Sequence, residues 1–94
     1  MEYIMGSVAR DGTILSGKGF DVKIHESYEG GAIYAITLTN GSLAEYLLFT
    51  QQFEDASRSC FVEPSSGDVK YVNCPNGGVL PNVIVFSFIA IKQE

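Results

Sequence analysis

The stretch Asn82-Val-Ile-Val-Phe-Ser-Phe-Ile-Ala-Ile-Lys92 constrains the fold more than any other part of the chain. It is too short to cross a membrane as a helix, which takes about 20 apolar residues. Its β-branched and aromatic residues, bounded upstream by Gly77, Gly78 and Pro81, predict a strand. One alternation carries Val83, Val85, Ile89 and Ile91, interrupted by Ser87; the other carries Ile84, Phe86, Phe88 and Ala90. A surface strand of a small antiparallel domain is polar on one side. This strand needs cover on both. The expected fold is therefore all-β, an antiparallel β-sandwich of about six or seven short strands. Its closing strand packs on its own core and on another subunit, with Val83, Val85, Phe86, Phe88, Ile89 and Ile91 as the expected oligomer contacts.

With 94 residues the chain reads as one domain, 1–94, in which 1–19 form an N-terminal hairpin or extension and 20–94 the sandwich. A domain this small buries little surface per residue, and assembly helps it. Hydrophobic residues at 46% and charged residues at 18% exclude a disordered chain. The net charge of -5 and the scattered Lys and Arg residues argue against nucleic acid as a partner, because phosphate binding needs clustered cations. Met1–Met5 lacks the basic and apolar regions of a secretory leader. The expected setting is extracellular, at a cell surface or on a virion fibre. Any export signal would then be removed, carried by a larger parent chain, or not needed.

Turn signals divide the rest of the chain. Tyr3-Ile4-Met5 and Val8-Ala9 stop at Arg10-Asp11-Gly12, and Asp-Gly is a strong two-residue turn. Thr13–Leu15 is a short return strand. Phe20–Glu26 places Phe20, Val22 and Ile24 on one side and Asp21, Lys23 and His25 on the other, a half-buried strand. Ala32–Thr39 alternates again, with Tyr34, Ile36 and Leu38 inward. Leu43–Phe53 has some helical spacing, but Tyr46–Thr50 is rich in strand formers and reads as strand. Ser59–Glu63 and Val69–Cys74 flank a turn at 64–68.

A hairpin symmetric about Gly67 sets Val62 opposite Val72 and Cys60 opposite Cys74. Those four belong to the core, and Phe61, Glu63, Tyr71 and Asn73 share the other face. A slip of one residue would reverse this on one strand. Cys60 and Cys74 lack the spacing of redox or zinc motifs and are either two buried thiols or one cross-hairpin disulfide.

The pattern Gly6-x-Val8-x-x-Asp11-Gly12-Thr13-Ile14-x-x-Gly17-x-Gly19-Phe20-x-Val22, followed by Tyr34-x-Ile36, resembles the opening of a small β domain of bacterial and phage fibre-type proteins. The ending Phe86-x-Phe88-Ile89-Ala90 is similar to the last strand of that group and of the H-type lectins. The resemblance implies a six-stranded antiparallel sandwich that assembles as a homotrimer through its outer sheet. H-type lectins typically carry tryptophan in the closing strand, and this chain has none, so no sugar-binding residue is carried over.

Catalytic constellations are missing from the sequence. His25 stands alone among scattered carboxylates, which points to a plain surface residue. Ser16-Gly17-Lys18-Gly19 fails the spacing of a phosphate loop. No enzyme activity, cofactor or metal is expected. A saccharide needs an aromatic ring beside hydrogen-bonding groups, and Tyr71 with Glu63 and Asp68 supplies that near the Gly67 turn. Asn73 and Asn76 form the alternative cluster. Tyr46 is a second candidate ring, and tyrosines at subunit contacts are the competing explanation for both. Two functions follow as expectations: a non-enzymatic, lectin-like fibre-tip module binding a glycan or other cell-surface ligand, or a structural trimerisation cap with no ligand.

Overall fold

The computed structural model describes residues 2–51, 60–65, 67–75 and 84–93. Among them the chain forms β1 (Tyr3–Ala9), β2 (Ile14–Gly17), β3 (Phe20–Tyr28), β4 (Gly31–Leu38), β5 (Tyr46–Gln51), β6 (Phe61–Val62), β7 (Lys70–Pro75) and β8 (Ile84–Lys92). They build two four-stranded antiparallel sheets, sheet A in the order β2-β1-β8-β5 and sheet B in the order β3-β4-β7-β6. The expected all-β sandwich is the observed architecture, with eight strands in place of six or seven. No helix among the described residues is long and apolar enough to cross a membrane.

The inward residues of the two sheets meet in one core. Val8, Phe86, Phe88 and Ala90 of sheet A pack with Phe20, Tyr34, Ile36, Val72 and Cys74 of sheet B. Phe20 meets Phe88 edge-on with ring centres 4.9 Å apart, and Tyr34 lies 5.4 Å from Phe86. Each such aromatic pair adds about 0.5–1.5 kcal/mol to the burial of its rings. The Tyr34 hydroxyl donates to the Arg10 carbonyl at 2.6 Å, so the buried phenol keeps a partner. Burial pushes its pKa above the ordinary tyrosine value.

Two glycines make room for Phe20. Gly6 and Gly17 face each other across β1 and β2. A Cβ on Gly6 would enter the Phe20 ring, and one on Gly17 would strike the Met5 carbonyl. Gly17 also sits at φ 96°, a conformation that side chains resist. The N-terminal glycine pattern therefore has a packing cause. The segment 1–19, expected as a hairpin or extension, supplies two of the four strands of sheet A. β1 pairs with β8 from Tyr3 opposite Ile91 to Ala9 opposite Ile84, and Val8 is fully buried.

The closing strand β8 lies between β1 and β5 inside sheet A, and its two faces have different fates. Phe86, Phe88 and Ala90 point between the sheets, whereas Ile89 and Ile91 are half-buried at alternating positions. Of the residues expected between subunits, Phe86 and Phe88 are taken up by the chain's own core, and Val85 is buried as well. Ile89 and Ile91 face outward. Val83 lies outside the described residues.

The hairpin around Gly67 has the symmetric register: Phe61 pairs with Asn73 and Val62 with Val72. Glu63 N–H donates to the Tyr71 carbonyl at 2.8 Å. Hydrogen-bonded pairs alternate along an antiparallel ladder, so 62–72 and 60–74 are the close, non-hydrogen-bonded pairs. Cys60 and Cys74 are joined by a disulfide with Cα atoms 4.2 Å apart. Closing this short loop contributes about 3 kcal/mol in the chain-entropy account.

Candidate functional site

The outer face of sheet B carries a groove of 410 Å³, lined by Asp21, Val22, Lys23, His25, Ala35, Thr37, Val69 and Tyr71. That volume is within the roughly 300–1,000 Å³ of small-molecule sites. Strand register explains how it forms. Lys23 on β3 is opposite Ala35 on β4, and Ala35 is opposite Tyr71 on β7. The small Ala35 makes the floor between two long side chains. One row further along, Asp21 faces Thr37 at the other end.

A β-bulge lies at the His25 end of the groove. The β3–β4 register shifts between Ile24 and Glu26, which leaves His25 as the extra residue. Bulges re-aim side chains and recur beside functional sites. The His25 and Tyr71 rings come within 4.8 Å of each other, tilted by 55°. Their strands are two apart in the sheet, roughly 10 Å in backbone spacing. The rings therefore meet above β4, over the gap left by Ala35. The result is an aromatic wall, with Lys23 and the Asp21–Thr37 pair beside it.

The sequence-derived ligand residues are distributed differently from expectation. Tyr71 lines the groove. Glu63 and Asn73, assigned to opposite ends of the hairpin, are joined: Asn73 Nδ2 donates to Glu63 Oε1 at 2.9 Å. The Tyr28 hydroxyl donates to Asn73 Oδ1, which extends this network to the β3 edge. Cross-strand neighbours on one face reach each other readily, and so one residue from each cluster comes together here.

Asp68 is not beside Tyr71 in the groove. Its carboxylate accepts the Ser42 hydroxyl at 2.5 Å, and its carbonyl accepts Leu43 N–H at 3.1 Å. Ser42 Oγ in turn accepts Ala44 N–H at 3.0 Å. These bonds fasten the β4–β5 connection to the hairpin tip, a structural use of a residue ranked as ligand-binding. Asn76 lies outside the described residues. Tyr46, the second candidate ring, is buried in the core.

Sequence reading undervalued Lys23, His25, Asp21 and Thr37. The available signal was the polar side of β3, where Asp21, Lys23 and His25 alternate. What turns that side into a site is β4 lying between β3 and β7, together with the bulge. Neither is written in the local pattern.

The outer face of sheet A has another character. Tyr3, Ile91 and Leu47 form one row across β1, β8 and β5; Met5, Ile89 and Phe49 form the next. Tyr3, Met5, Leu47 and Phe49 are about half exposed, at 58%, 55%, 48% and 53%, which makes this a continuous apolar patch. The third row is polar: Ser7, Ser87 and Gln51, with the two serine hydroxyls 2.7 Å apart.

Searches for similar proteins found no matching family model, no matching curated protein and no matching solved structure.

Proposed function

We propose that this protein is a non-enzymatic recognition domain of the fibre-tip kind, which self-associates as a homotrimer through the outer face of sheet A and binds a glycan on the outer face of sheet B. The observation that carries this reading is the groove itself. Tyr71 and His25 present ring surface beside Asp21, Thr37 and Lys23, over a floor of Ala35. A sugar offers the matching surfaces, an apolar ring face and hydroxyls that need hydrogen-bond partners. The apolar rows of sheet A support the assembly half, because an exposed contiguous patch on a soluble domain marks an interaction surface. Its occupant is a second copy of the chain: the patch carries no charge for a foreign partner to read, and the domain is small enough to gain from assembly. The Cys60–Cys74 disulfide supports an oxidising, extracellular setting.

A glycan array combined with light scattering tests both halves. The expected result is three chains per particle and binding to at least one saccharide, with binding abolished by Tyr71→Ala while the particle stays intact. A blank array over an intact trimer would put the structural trimerisation cap ahead. A stable monomer would remove the assembly half.

A further inference from the structure

The geometry points to an acidic saccharide, a sugar ring bearing a single anionic group, as the class of ligand for the sheet B groove. This inference rests on the recognition reading above and narrows it. Lys23 is the central observation. Among the described residues two other lysines are engaged: Lys70 Nζ donates to the Ser65 carbonyl at 3.1 Å, and Lys92 pairs with Glu2. Lys23 has no carboxylate within ion-pair distance among the described residues, and it lines the groove.

The charges around Lys23 define what fits. Asp21 lies two residues away on the same face, roughly 7 Å along the strand, and accepts a long hydrogen bond from Thr39 Oγ1 at 3.5 Å. Glu26 sits across from Ile33, beyond the His25 bulge. Glu63 accepts from Asn73 on the far side of Tyr71. Among the described residues the one cation lining the groove thus stands between acidic neighbours, which disfavours a polyanion and suits a single negative charge.

A ligand satisfying every wall then has a definite layout. Its anionic group accepts from the Lys23 ammonium, next to the imidazole of His25. Its apolar ring face lies on Tyr71 above Ala35. Its hydroxyls donate to the Asp21 carboxylate and exchange hydrogen bonds with Thr37. A neutral sugar offers Lys23 hydroxyl acceptors but no counter-charge.

The test uses printed trios of oligosaccharides that differ at one position: a neutral hexose form, its hexuronate form and its sulfate ester. The intact protein should bind at least one anionic form about tenfold or more tightly than the neutral parent, the effect of one charge-assisted hydrogen bond. Lys23→Gln should remove that preference, and Lys23→Arg should restore it. Which anionic arm binds distinguishes carboxylate from sulfate as the source of the charge. Equal binding of neutral and anionic forms overturns the acidic class and leaves glycan recognition standing. No binding to any saccharide overturns both.

Discussion

The two outer faces of this sandwich occupy equivalent positions on sheets of equal strand number, yet they carry opposite chemistry. On sheet A the first two outward rows across β1, β8 and β5 hold Tyr3, Met5, Leu47, Phe49, Ile89 and Ile91. On sheet B the matching positions hold Asp21, Lys23, Thr37, Glu63, Tyr71 and Asn73, around the small Ala35. Sheet A offers a broad, uncharged and mostly apolar patch. Sheet B offers a depression rich in hydrogen-bonding groups. The first chemistry suits a large surface of the same kind. The second suits a small polar ligand with one apolar side. In the proposed assembly this separation leaves the groove open.

Charging the centre of the apolar patch is the strongest way to break this contrast. Ile89→Asp should dissociate the oligomer, raising its dissociation constant about a hundredfold or more, as the loss of a central interface anchor does. Sedimentation or light scattering at micromolar concentration reads the result. Saccharide binding per chain should stay unchanged, since Ile89 is on the other sheet. An oligomer that survives this charge would place the subunit contact elsewhere.

The disulfide sharpens the comparison from the sheet B side. Replacing Cys60 and Cys74 together by serine should lower stability by about 3 kcal/mol, mostly through a less restricted unfolded chain. The loss should appear as a lower denaturant midpoint with the oligomer retained at low denaturant. An unchanged midpoint would mean that the cross-link adds nothing to the hairpin.

Asp68 gives the smallest effect and the most discriminating one. Asp68→Ala removes the hydroxyl acceptor for Ser42 at the surface, so stability should fall by about 0.5–1.5 kcal/mol. Saccharide affinity should be the same as in the parent protein. A loss of binding with unchanged stability would return Asp68 to the site and shift it toward the hairpin tip.

Much of the fold could be read along the chain because its signals are local. Asp11-Gly12 marks a tight turn, and the structure has Gly12 at φ 91° with Thr13 N–H donating to Asp11 Oδ1 at 2.9 Å. Hydrogen bonding from the Thr13 hydroxyl, and then from its N–H, holds the Asp11 pKa below the ordinary carboxylate value. The alternation in 20–26 and 32–39, and the symmetry of the hairpin about Gly67, depend only on a side-chain period of two. The two apolar faces of the closing strand were visible for the same reason. Tyr71 was legible as a ring on the non-core face of its hairpin.

Strand order across a sheet is another matter, since it depends on contacts between segments distant in sequence. Only the folded chain put β4 between β3 and β7, bringing Lys23 and Tyr71 to either side of Ala35. Only the bulge at His25, a shift in pairing with no mark in the alternation itself, set that ring against Tyr71. The same limit applies to Asp68: its residue type permits a ligand contact, and a neighbouring turn that carries Ser42 claimed it. Side-chain period is a property of a strand alone, whereas a site is a property of the strands that pack beside it.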